Sequence, residues 1–123
     1  MAKKNAILVN GVTQTATNNT ATADISTIFG RAWVAQISCG TVTGTSPTLD
    51  VTIQQSLDGT NWSTLIAFTQ ITSSNAVELK YAASSADYAK PLLNYVRCAI
   101  TVGGTDTPTF NTVTVRLLID TNS

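Results

Sequence analysis

Leu49-Asp50-Val51-Thr52-Ile53-Gln54-Gln55-Ser56-Leu57-Asp58-Gly59-Thr60-Asn61-Trp62-Ser63-Thr64-Leu65 reads as two strands and the turn that joins them. Leu49, Val51 and Ile53 alternate with Asp50, Thr52 and Gln54, the period of a strand with one buried face. Asp58-Gly59 supplies the positive φ of a tight hairpin turn. Trp62 to Phe68 then returns as the second strand, with Trp62 capping the core beside the turn.

The same alternation extends in both directions. Trp33, Ala35, Ile37 and Cys39 share one face of a strand over Arg31 to Cys39, whose other face is partly apolar through Val34. Gly40 to Pro47 reads as a loop rich in Thr and Gly. Val77, Leu79 and Tyr81 alternate with Glu78 and Lys80 in a further strand. Ala82 to Lys90 is small and polar, suited to one helical turn that Pro91 would end. Val96, Cys98, Ile100 and Val102 form an inward row on Tyr95 to Val102. Gly103-Gly104-Thr105-Asp106-Thr107-Pro108 reads as a turn, and Val113, Val115, Leu117 and Ile119 as the last inward row. Tyr95–Val102 and Phe110–Ile119 are therefore expected to be antiparallel neighbours. Seven to nine short strands with turn signals every 8–15 residues predict an all-β fold. The expected form is a single antiparallel β-sandwich, Ig-like or jelly-roll-like, over 31–123.

Residues 1–30 differ. Asn5 to Val9 is a short apolar strand candidate, and Asn10-Gly11 is a hairpin dipeptide. Val12 to Thr22 is almost entirely Thr, Asn, Ala and Gln. The segment reads as an extended N-terminal arm or a loosely held edge ribbon. Ala6 to Val9 suits two roles equally: an edge strand of its own sheet, or a strand added to a neighbouring molecule.

Composition supports this reading. The 123 residues contain 22 Thr, 10 Ser and 9 Asn, a third of the chain. Charged residues are only 11%, with seven basic and seven acidic side chains. Thr suits a pleated surface, whereas good helix formers are scarce, with one Glu and one Met. Zero net charge argues against nucleic acid as a partner, because phosphate binding needs clustered Lys and Arg. No apolar run approaches the roughly 20 residues of a membrane span. Ala6 to Val9, after Met1-Ala2-Lys3-Lys4, is too short for a signal-peptide core, so a cytoplasmic site of synthesis is expected.

Catalytic chemistry finds little support. The chain has no histidine, hence no Ser-His-Asp or Cys-His arrangement, and it lacks the commonest zinc ligand. The seven carboxylates are scattered, with no sign of a convergent glycosidase pair. No phosphate-binding loop is present. We expect no enzyme activity, no cofactor and no metal. Cys39 and Cys98 both fall on inward faces. An inter-sheet disulfide is one reading, but Trp62 lies 23 residues after the first Cys and Val96 stands where a tyrosine would be expected. Two reduced core thiols fit better. Asn18-Asn19-Thr20 and Asn61-Trp62-Ser63 match the glycosylation sequon by chance in so Asn- and Thr-rich a chain.

Two segments carry a resemblance. Gln54 to Leu65 follows a Q-x-S-x-D-G-x-x-W-x-x-L pattern found in discoidin-like carbohydrate binders and in many phage virion proteins. Tyr95-Val96-Arg97, then Gly103-Gly104-Thr105, Thr107-Pro108 and Phe110, leading into Val113 to Ile119, resembles small structural proteins of tailed bacteriophages. Together they span roughly 50–120. The resemblance implies a virion β-sandwich, a capsid decoration (cement) protein on the outside of an assembled head. Its partners would be the major capsid protein and further copies of itself, as a trimer at a local threefold or a dimer at a twofold. Lys3, Lys4, Ala6, Ile7, Leu8 and Val9 are the expected contact residues, with the lysines meeting an acidic shell surface. Two alternatives stand beside it: a carbohydrate-binding module of a tail fibre or adhesin, which needs a solvent-facing Trp33 or Trp62, and a neck or tail-tube component.

Overall fold

β-Branched residues at alternating positions leave a chain little choice but extended pairing. The computed structural model describes residues 3–26, 32–81 and 92–120, and its elements are all strands. They are β1 (Lys3–Gln14), β2 (Asn18–Asn19), β3 (Ala23–Asp24), β4 (Ala32–Ser38), β5 (Val42–Ser56), β6 (Ser63–Ala67), β7 (Val77–Tyr81) and β8 (Tyr95–Asp120). Ala82 to Pro91, where one helical turn is expected, lies outside the described residues, as do Ile28, Phe29 and Arg31.

Hydrogen bonding joins all eight strands into one antiparallel sheet, nearly barrel-shaped. β8 is its spine. One edge of β8 is lined by residues 32–56, which run antiparallel to it over its full length, from Ala32↔Asp120 and Ser38↔Thr114 through Val42↔Phe110 to Ser56↔Tyr95. The other edge takes β1 against its C-terminal half and β2 and β3 against its N-terminal half. β6 flanks β5 and β7 flanks β4.

This corrects three linked expectations. Tyr95–Val102 and Phe110–Ile119 are not neighbours; they are two halves of a single strand, and both pair with the 32–56 segment. Gly103 to Pro108 is not a hairpin turn, and most of Gly40–Pro47 belongs to β5 rather than to a loop. The two stretches face each other in a double bulge. Register shifts fall between Thr43 and Thr45 and between Thr45 and Thr48, and Gly44, Ser46, Gly104, Asp106 and Thr107 all have positive φ. On the next segment, Ile71 pairs with Leu49 while Asn75 N–H donates to the Gly40 carbonyl. Four residue steps there (71 to 75) match nine along the chain from Gly40 to Leu49, so the β5/β8 ribbon must project outward between them. The two backbones touch in this projection: a Cβ at Gly104 would lie 2.9 Å from Pro47 Cα, and one at Gly44 2.8 Å from Pro108 Cα. Bulges of this kind bend a strand without ending it.

Asn10-Gly11 also departs from expectation. Gly11 has φ +63 but sits inside β1, at the register shift between Val9 and Val12, with its N–H donating to Thr114 Oγ1 at 3.1 Å. The dipeptide makes a bulge, not a hairpin.

The concave side of the sheet holds one apolar cluster. The rows Trp33–Cys39, Leu49–Ile53, Val96–Ile100 and Val113–Ile119 all point into it, as alternation predicts, joined by Phe110, Leu65, Ile66, Phe68, Ile71, Val9 and Ile25. The inward residues of β8 change from even to odd numbers between Phe110 and Val113, where Thr112 takes a positive φ and absorbs the extra residue. β7 is the strand that the alternation predicts. Its apolar row faces out, with Val77 63% and Leu79 54% exposed, because Leu79 pairs with Gln36 and Val77 with Ser38, both on the outer face of β4.

Candidate interaction face and the Asp58 turn

The six expected contact residues do not share one face. Lys3 pairs with Asp120 and Lys4 with Ile119 along β8. Val9 is buried, and Ala6 and Leu8 pack against the core. Only Ile7, 46% exposed, points outward among the four apolar residues. β1 is thus a strand of the chain's own sheet.

What surrounds Ile7 comes from register. Ile7 faces Arg116 on β8, Arg116 faces Gln36 on β4, and Gln36 faces Leu79 on β7. The next row contains Asn5, Leu118 and Val34. Asn5, Val34, Gln36, Leu79, Arg116 and Leu118 line a shallow depression. The outer face of these four strands therefore sets the apolar Ile7, Val34, Leu79 and Leu118 beside Asn5, Gln36 and Arg116. Ile7 was legible in the sequence as a contact candidate. Val34, Leu79, Arg116 and Leu118 were not, because only strand order brings them together.

The Gln54–Leu65 motif resolves into a folding device. The Ser56 hydroxyl and the Asp58 carboxylate organise the turn between them. Gly59 N–H donates to Ser56 Oγ at 2.9 Å, and the N–H groups of Thr60 and Asn61 both donate to Asp58 Oδ1 at 2.8 Å. Asn61 Nδ2 donates to Asp58 Oδ2 at 2.8 Å. The backbone N–H groups of Asn61 and Thr60, then the Asn61 amide and the Ser56 hydroxyl, hold the Asp58 carboxyl well below the usual range. Gln55 Oε1 accepts from Leu93 N–H at 3.0 Å and so anchors the approach to β8. Arg97 lies over the Trp62 ring, 4.2 Å from its centroid, and its Nε donates to Gln54 Oε1 at 2.8 Å. Trp33 is buried, 3% exposed.

Four other described carboxylates are also occupied locally. Asp50 accepts from Gln70 Nε2, Asp24 from Ser26 N–H, and Asp106 from the Thr45 hydroxyl. Glu78 accepts from both the N–H and the hydroxyl of Thr69 and lies 3.7 Å from Lys80 Nζ. Among the described residues no two of these carboxylates share a partner, and no three His, Cys, Asp or Glu side chains cluster as a metal site. Cys39 and Cys98 are free and buried; burial pushes the Cys98 thiol up to about 12 and raises that of Cys39. No described helix is long and apolar enough to cross a membrane.

No protein family matches the chain, and no curated protein matches its sequence.

Proposed function

We propose that the chain is a structural virion protein, a capsid decoration protein that binds the outer surface of an assembled phage head and stabilises it as a homo-oligomer. On this reading it is made in the host cytoplasm and resides on the capsid surface. It needs neither cofactor nor nucleic acid. The curled sheet is then a sandwich, with β6, β5, the first half of β8, β2 and β3 in one layer and β7, β4, the second half of β8 and β1 in the other. Its N-terminal arm is the β1 segment, laid along β8 and offering its outward residues.

The observation that carries this reading is the outer face of β1, β8, β4 and β7. Ile7, Val34, Leu79 and Leu118 share this face with Asn5, Gln36 and Arg116, a shallow mixed surface with the make-up of a protein contact rather than of a small-molecule pocket. The hydrogen bonds that lock the Asp58 turn and Gln55 serve folding, which suits a protein whose task is to be a stiff plate. The sugar-binding alternative asks for an open tryptophan face, whereas Trp33 is buried and Arg97 covers one face of Trp62. A neck or tail-tube role uses the same kind of face and differs in copy number.

The test is co-sedimentation of the purified protein with assembled, undecorated heads. Saturable binding is expected, weakened about tenfold or more by Ile7→Asp, which would set a charge in the contact. A native protein that stays in the supernatant at every concentration would refute the reading.

A further inference from the structure

Among the described residues β7 ends its side of the sheet: it pairs with β4, and no described strand pairs along its other edge. Cys39 N–H donates to the Ala76 carbonyl at 3.0 Å. Alternation along an antiparallel strand then turns the N–H and C=O groups of Val77, Leu79 and Tyr81 away from β4, towards the open edge. The same strand exposes the two large apolar side chains Val77 and Leu79 on its outer face. An edge strand with an outward apolar row is the type of surface that recruits another strand.

The order of charges says which strand. Val77-Glu78-Leu79-Lys80-Tyr81 is charge-symmetric about Leu79 when read against itself in the opposite direction. In an antiparallel pair centred there, Glu78, which within its own chain accepts from Thr69 and lies 3.7 Å from Lys80, comes to stand across from Lys80 of the second copy, and Lys80 across from its Glu78. Leu79 faces Leu79, and Val77 faces Tyr81. The edge-facing positions 77, 79 and 81 become the hydrogen-bonded pairs, roughly six inter-chain bonds in all. Opposite charges directly across a strand pair are favourable and like charges are not. A parallel pairing in register offers nothing similar, since it sets Glu78 beside Glu78.

We propose that two copies of this chain associate about a twofold axis through Leu79, joining their β7 edges into one continuous sheet. The contact covers the exposed Leu79 of each copy with that of the other, and it extends the outer face across both molecules. The proposal does not depend on the virion reading; of the two oligomers that reading admits, it selects the dimer. Five residues a side make a small interface, so the dissociation constant should fall on the order of micromolar to hundreds of micromolar.

Sedimentation equilibrium of the full chain, from about 1 µM to about 1 mM, tests it. A monomer–dimer equilibrium is expected. Lys80→Glu sets like charges together at both ends of the contact and should weaken association about tenfold. Leu79→Lys, at an exposed position that does not burden the fold, should abolish it over this range. The double reversal of Lys80→Glu with Glu78→Lys recreates the charge symmetry and should restore dimers. If its lost Thr69 bonds unfold it, Leu79→Lys alone decides. A chain that stays monomeric to about 1 mM would overturn the proposal, because Glu78 and Lys80 would then be guards of the edge. So would a trimer, or a dimer indifferent to both Lys80→Glu and Leu79→Lys. Failure to bind phage heads bears on the function and leaves this result untouched.

Discussion

Asp58 carries more of the turn's order than any other single side chain, and its charge matters because backbone N–H groups bind the carboxylate, not the acid. Its folded pKa is depressed, so its contribution to stability is fully present above the unfolded value, near 3.9, and is lost as pH falls through the folded one. Asp58→Asn should lower the melting temperature at neutral pH, and the gap to the parent protein should shrink steadily in acid. A gap that is constant from pH 7 to pH 2 would mean that the carboxylate charge has no part in it. The two thiols offer a second check at this scale. Buried and pushed up in pKa, Cys39 and Cys98 should ignore a thiol reagent at pH 8 in the native protein and react together on unfolding. Prompt reaction of either would contradict the packing described. Inward positions were the most legible part of the sequence. Trp33, Leu49, Val51, Ile53, Cys98 and Leu117 all sit where alternation puts them, because a period of two survives any strand order.

Strand order itself was less legible, and β8 shows why. Gly103-Gly104 followed by Asp106 and Pro108 has the chemistry of a hairpin turn, since both a hairpin and a bulged bend need residues tolerant of positive φ. Nothing local distinguishes a chain that reverses from one that kinks and continues. The distinction lies in the partner, here the 42–49 ribbon with its own Gly44 and Pro47. Likewise the alternation in β7 told that Val77 and Leu79 share a face but not which face the core takes. An edge strand with a mixed pattern can present either. The kink also makes a prediction at this scale. At Gly104, φ is +114 and a Cβ would lie 2.9 Å from both Pro47 Cα and the Ser46 carbonyl oxygen. Gly104→Ala should therefore cost about 1–3 kcal/mol or more in a denaturant titration. Gly11→Ala, at φ +63 with open space around it, should cost about 1 kcal/mol or less. Equal costs would mean that the two backbones do not meet at the corner.

For the whole molecule, one sheet wound about a single spine ties both ends of the described chain together, since Lys3 and Ala32 flank Asp120 on opposite sides. The chain has zero net charge, β7 pairs along one edge only among the described residues, and the outer face sets Ile7, Val34, Leu79 and Leu118 beside Asn5, Gln36 and Arg116. In the proposed virion role those properties serve assembly. How much of the site was readable follows from the same geometry: Ile7 stood out in a short apolar run, whereas Leu118, Val34 and Leu79 became its neighbours only through register. For the proposed virion role the most direct measurement is quantitative mass spectrometry of purified particles from the source of the chain, giving its copy number relative to the major shell protein. The account predicts hundreds of copies per particle. A handful would place it at the neck or tail, and its absence from particles would contradict the account outright.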